Sequence, residues 1–184
     1  MKKFSPFIIL PFLISCGGNS ENTSDNSDTT NIQKPLEPCL ICVRDADYNP
    51  AFVNEKGDTI IPFGKYSESF QDTIYTFGSV YDTARSGFFA IDLSGSELFE
   101  VFAFENGPDY IEEGTFRIVK DDKIGYANEA GEIIIEPQYT CAFPFQDGKA
   151  KVALNCTETL EFEMTKWESN EWFFINQAGE IVPE

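Results

Sequence analysis

The side chains with chemical potential in this 184-residue chain are five cysteines, Cys16, Cys39, Cys42, Cys141 and Cys156, and a large excess of carboxylates. There is no histidine. Without imidazole, Ser-His-Asp and Cys-His catalysis and histidine-ligated metals are excluded together. An enzyme built on this chain would need carboxylate, lysine or thiol chemistry. Cys39-Leu40-Ile41-Cys42 has the spacing of a redox pair, but such a pair needs a helix start to depress its thiol pKa, and Val43 to Asp45 reads as extended. In an oxidising compartment three pairings of Cys39, Cys42, Cys141 and Cys156 are possible. Cys141 and Cys156 lie nearly symmetrically about Asp147-Gly148, so a regular hairpin there brings them opposite one another. A disulfide closing that loop is worth about 3 kcal/mol in the chain-entropy model. Cys39 and Cys42 are then left to form their own short-range disulfide or a reactive pair, with free or cross-paired thiols still open. Zinc held by all four has no support across the long gap between the pairs.

The carboxylates cluster at Glu112-Glu113, Asp121-Asp122 and Glu158, Glu161 and Glu163. A glycosidase needs two carboxylates about 5–9 Å apart across a cleft, and adjacency in sequence does not supply that. Glu112-Glu113-Gly114 and Asp121-Asp122-Lys123 read as turns. No calcium loop, phosphate loop or dinucleotide fingerprint occurs, and no catalytic residue, metal or cofactor is assigned. With 31 acidic against 13 basic residues the formal charge is −18, which repels nucleic-acid phosphates and disfavours any role on nucleic acid.

The elements that must position these groups are short strands. The best-defined stretch is Gly125 to Leu154. Tyr126 to Asn128 reads as a strand, Glu129 to Glu132 as a turn around Gly131, and Ile133 to Ile135 as a second strand that Glu136-Pro137 ends, since proline has no N–H to donate. Asp147-Gly148 marks a tight hairpin, after which Ala150, Val152 and Leu154 alternate with Lys149, Lys151 and Ala153 as in a half-buried strand. Helical periodicity is nowhere sustained; Ser94 to Phe104 fits a strand equally well. Phe143, Phe145, Phe162, Trp172 and Phe174 alternate with polar residues and are expected in the core or between units, not as a ligand platform. Asn155 to Asn170 reads as an elongated hairpin.

Parts of this stretch return elsewhere. Ala51 to Pro62, Phe88 to Phe99 and Trp172 to Pro183 each carry a strand, an Asn or Asp, a glycine turn and a second apolar run. The aligned glycines are Gly57, Gly95, Gly131 and Gly179, a spacing typical of stacked repeats. Ile124-Gly125-Tyr126 with Asn128 and Gly131, then Ile134-Ile135-Glu136-Pro137-Gln138-Tyr139, then Phe145-Gln146-Asp147-Gly148-Lys149-Ala150-Lys151-Val152, resembles the WG-repeat family of short β units. Ile124 stands where that family has its Trp. The resemblance is strong over Lys123 to Leu154, weaker at Ala51 to Pro62 and Trp172 to Pro183, and faint between Ser67 and Phe116. It implies an all-β array of short antiparallel hairpin or meander units, about four degenerate copies, with no common catalytic site or ligand.

The amino terminus differs in kind. Lys2 and Lys3 precede an apolar run, Phe4 to Ile14, too short to span a bilayer, as in an export signal. Leu13-Ile14-Ser15-Cys16 resembles the bacterial lipoprotein signal box. The resemblance implies cleavage before Cys16 and acylation of that residue, whose two or more chains would hold the protein firmly to a membrane. Gly17, in place of an aspartate after the cysteine, leans towards the outer membrane. Residues 1–15 are thus expected to be signal peptide, 16–37 a lipid-attached polar tether, and 38–184 the β-repeat domain. The expected function is a non-enzymatic cell-envelope lipoprotein whose domain binds an envelope protein or glycan or serves structurally. The alternative is a membrane-anchored carboxylate enzyme acting on polysaccharide.

Overall fold

The computed structural model describes residues 38–161 and 164–184, and every regular element among them is a strand. Strands β1 (Leu40–Arg44), β2 (Pro50–Asn54), β3 (Thr59–Ile61), β4 (Glu68–Ser69), β5 (Thr73–Ile74), β6 (Phe77–Asp82), β7 (Gly87–Asp92) and β8 (Glu97–Val101) make up the first half. They continue as β9 (Ala103–Phe104), β10 (Gly107–Pro108), β11 (Thr115–Lys120), β12 (Lys123–Asn128), β13 (Ile133–Tyr139) and β14 (Cys141–Ala142). The last are β15 (Ala150–Ala153), β16 (Thr157–Glu161), β17 (Met164–Glu168), β18 (Phe173–Ile175) and β19 (Ile181–Val182). The central sheet has the order β13-β12-β11-β8-β7-β6-β4, flanked by four-stranded sheets β3-β2-β1-β5 and β14-β15-β18-β19 and two small hairpins, β9-β10 and β16-β17. All pairings are antiparallel, so the expected all-β meander is present.

Strand alternation sorts the core. In β7, Phe89 and Ile91 point to one face and pack with Leu40, Phe52, Ile61 and Tyr66 of the amino-terminal part. Phe88 and Ala90 point to the other, against Val101, Phe116 and Ile118. Further along, Ile124, Tyr126 and Ile135 pack with Ala142, Phe145, Val152 and Ile175 of the carboxy-terminal sheet. Burial of these side chains, each worth roughly 1.5–3 kcal/mol, is what holds the layers together.

One local design recurs five times. At Asp45–Asn49, Asn54–Asp58, Asp92–Ser96, Asn128–Glu132 and Asn176–Glu180, the first N–H donates to the fifth carbonyl and the fourth N–H donates to the first carbonyl. The side-chain oxygen of the first residue accepts from the N–H groups of the third and fifth. This is a three-residue hairpin loop with a left-handed fourth residue, stapled by an Asx side chain. Gly57, Gly95, Gly131 and Gly179 supply the positive φ in four of them, and Tyr48, at φ 65°, in the other. The Asp45 turn has no glycine, so glycine spacing does not reveal it.

Two expectations are corrected. β13 does not stop before Glu136 but runs on through Pro137 to Tyr139. Proline is tolerated because β13 is the outer strand of its sheet and its register with β12 slips between the Ile124 and Tyr126 pairs. Gly125 makes that slip possible: a Cβ there would collide with the Ile135 carbonyl and the Pro137 nitrogen. Leu154 lies beyond β15 and is exposed, because the chain bends at Leu154-Asn155 and leaves the ladder.

Candidate binding surface

β11 alternates Phe116 and Ile118 on one face with Arg117 on the other, and the side that Arg117 occupies is the one that carries Tyr126, its partner across the ladder. Arg117 is buried, and its guanidinium grips Asp109 through both oxygens, at 2.9 and 2.6 Å, while a third N–H donates to the Ala142 carbonyl at 3.1 Å. The backbone N–H of Arg117 also donates to Asp109, so that carboxylate is fully used. This fork ties the central sheet to β14. Tyr126 makes a second tie by donating its hydroxyl to the Phe143 carbonyl at 2.7 Å, and burial pushes its phenol far above the ordinary value.

Above the fork runs a strip of aromatic rings. Phe102 and Phe104, two apart and on one side of the chain, flank the guanidinium of Arg117, which lies 4.1 and 5.6 Å from their ring centres. Tyr110 leans edge-on against Phe104 at 5.8 Å. In the other direction Phe102 meets Trp167 at 5.9 Å, Trp167 meets Phe143 at 5.5 Å, and Phe143 meets Trp172 at 5.5 Å. Lys151 Nζ caps the series 5.1 Å from the Trp172 ring. Tyr110 is 61% exposed, and Phe104 and Phe143 are each 40% exposed. Of the rings expected in the core or between units, Phe143 and Trp172 belong to this strip, packed between segments and partly exposed. Phe143 follows the end of β14 and turns outward between buried Ala142 and Phe145, and Trp172, just before β18, is only half-buried. Phe145 lies in the core, buried against Tyr126. Phe174 is half-buried under Lys149, and Phe162 lies outside the described residues.

The foot of the β16–β17 hairpin opens beside these rings. Two adjoining shallow clefts of about 420 and 450 Å³ share Thr157, Glu168, Ser169 and Asn170. Trp167 and Trp172 line one and Glu171 the other. The indole N–H of Trp167 donates to Glu158 at 3.3 Å, and Glu168 pairs with Lys166 at 3.0 Å.

The cysteines sit beneath this hairpin. Cys141 is bonded to Cys156 with their Cα atoms 6.1 Å apart. They are not cross-strand partners, since Cys141 stands opposite Ala153. The bond spans the bend after β15 and staples the hairpin foot to β14. The expected Cys39–Cys42 pairing is not formed, since Cys42 is a free, half-buried thiol. β1 is extended from Leu40, and a three-residue step in extended chain separates Cα atoms by about 10 Å on opposite faces, beyond the roughly 7 Å a disulfide bridges. Cys16 lies outside the described residues.

Glu112-Glu113 and Asp121-Asp122 do not converge on a cleft; of the third cluster, Glu158 stands beside Trp167, and Glu163 lies outside the described residues. Glu113-Gly114, Asp121-Asp122 and Asp147-Gly148 are the left-handed centres of tight turns. Glu113 accepts from the Gly148 N–H, joining two of those turns. Elsewhere Arg85 holds Glu97 and Asp82 at 2.6–2.8 Å and lies 3.6 Å from the Phe89 ring. Its hydrogen bond keeps the Asp82 carboxyl below the usual range, while burial raises that of Glu100. Among the described residues no group of three or more His, Cys, Asp or Glu side chains is placed to hold a metal, and no helix is long and apolar enough to cross a membrane.

A family model described as WG containing repeat matches residues 124–155. That segment covers β12 to the end of the β14–β15 hairpin, with Gly125 at its start. No curated protein and no solved structure matches the chain. The chain thus contains a WG-repeat-like β segment within a larger antiparallel β structure.

Proposed function

We propose that this protein is a non-enzymatic cell-envelope lipoprotein whose β-repeat domain binds an envelope protein or glycan. The exposed aromatic strip carries this reading, because contiguous half-exposed rings beside a polar cleft are the composition of a contact surface and not of a solvated face. Asp109 is the one buried carboxylate among the described residues, and Arg117 neutralises it. A pair of buried carboxylates facing a cleft, which the polysaccharide-processing alternative needs, is absent from the described residues. The turns at Gly57, Gly95 and Gly179 are read as diverged copies of the unit that the family model matches at Gly131. Residues 1–15 are the export signal, Cys16 carries the lipid, and residues 16–37 are the tether, with the outer membrane as destination. The test is crosslinking on intact cells with recovery of the anchored protein. A partner that crosslinks to the wild type and not to a Phe143→Ser variant is the expected result. In parallel, Cys16→Ser should move the protein from the membrane to the soluble fraction, and unchanged membrane retention would remove the anchor assignment.

A further inference from the structure

We infer that the aromatic strip and the cleft at the foot of β16–β17 dock an extended, cationic segment of a partner protein, a conclusion that rests on the binding-module reading and names its ligand. Aromatic faces attract ammonium and guanidinium groups. This chain already uses its strip so, with Arg117 between Phe102 and Phe104 and Lys151 on Trp172. Carboxylates edge the same surface: Glu158 on the Trp167 indole, and Glu168 and Glu171 in the clefts. Among the described residues the Glu168 side chain pairs with Lys166, with both side chains 55% accessible. A pair of that kind holds little energy and yields to a better-buried partner. Arg117 is not available to an anionic ligand, since Asp109 takes its fork.

Charge and spacing both select the occupant. At a formal −18 the protein's field draws cations and repels polyanions, and it equally repels a second copy of this chain. A neutral glycan would gain nothing from the carboxylates' charge. From Phe102 to Trp172 the ring-to-ring steps are 5.5–5.9 Å. Same-side residues of an extended peptide lie about 6.5–7 Å apart, so alternate basic side chains meet successive rings.

The chain contains two tryptophans, and both lie in this strip, so intrinsic tryptophan emission reads this site alone. The measurement is titration of residues 16–184 with the decapeptide (Lys-Ser)5, with (Glu-Ser)5 and a neutral glucan oligosaccharide run alongside. The expected result is a saturable emission change with (Lys-Ser)5 only, weakened about tenfold between 50 and 500 mM salt by screening. Glu168→Gln with Glu171→Gln should weaken it about fivefold or more, and Phe143→Ser comparably, with circular dichroism unchanged. Binding indifferent to these variants would be general attraction to a polyanion and would overturn the inference. So would an emission change with the oligosaccharide and none with the lysine peptide, which leaves the binding module intact and makes its ligand a glycan. If no probe binds, the inference fails, while a strip-dependent crosslinked partner from cells would still uphold the module.

Discussion

The five Asx-stapled turns and the β16–β17 hairpin stand at opposite ends of the molecule's regularity. The turns repeat one hydrogen-bond scheme with different residues around it, and they sit where the meander reverses. The hairpin occurs once, pairs with no other strand among the described residues, and reaches the rest of the protein through a disulfide and through the packing of Trp167. An isolated two-stranded hairpin is marginal in water. Its attachment therefore has to be supplied from outside, and the residues that supply it also form the aromatic strip. Where the chain repeats itself it builds scaffold, and where it departs from the repeat it presents surface.

The sharpest way to break this division is at the fork that holds both. Arg117→Ala leaves Asp109 as an uncompensated buried charge and removes the tie to Ala142, so a loss of about 3–5 kcal/mol is expected in denaturant unfolding. Both regions should loosen together; a variant that lost only the hairpin's order would mean the fork serves one side alone. Next in size is the disulfide. Cys141→Ser with Cys156→Ser should cost about 3 kcal/mol, with the greatest rise in amide exchange at residues 155–170 and the five turns little affected. A uniform rise would contradict the separate attachment of the hairpin.

Smaller changes test whether the five turns are truly one design. Tyr48 takes the left-handed conformation with a bulky side chain, which costs about 1–2 kcal/mol, whereas glycine costs about 0.5–1 kcal/mol in chain entropy. Tyr48→Gly should therefore stabilise the protein by about 0.5–1 kcal/mol, read as a shift in the denaturation midpoint. The finest contrast is acid sensitivity. The Asn49 amide holds the Asp45 carboxyl below its ordinary value, and the Ser94 hydroxyl does the same for Asp92. Both folded pKa values are depressed, so their contribution is complete above the ordinary value of 3.8 and is lost as pH falls through the lower folded values. Asn54, Asn128 and Asn176 do not titrate. Asp45→Asn with Asp92→Asn should leave the midpoint nearly unchanged at pH 7 and reduce the loss between pH 4 and pH 2.

The repeated part was legible in the sequence because its signals are local. Asn or Asp, then Gly three residues on, specifies a turn by itself, and the Asp147-Gly148 hairpin follows the same logic. The Asp45 turn is hidden in the sequence because its positive φ falls on Tyr48, although Asp45 and Asn49 carry the four-residue spacing that the staple needs. Pro137 misled because its effect depends on lying in an outer strand, a fact of sheet order. The Arg117–Asp109 pair and the strip were not legible for a related reason. Phe102, Phe143, Trp167 and Trp172 come from four separate segments, and no spacing along the chain anticipates that sheet packing lays them side by side. The Cys39–Cys42 pairing failed on strand geometry, which the two-residue spacing conceals.

The order of strands in the central sheet bears on how the molecule assembles. Neighbours in β6-β7-β8 and β11-β12-β13 are also neighbours in the chain, and the β8–β11 junction is bridged only by the small β9–β10 hairpin. Each addition closes a short loop, so little entropy is lost before contacts form, and such local pairing favours rapid folding. A chain emerging amino end first, as in export, would deliver these strands in the sequence in which the sheet takes them up.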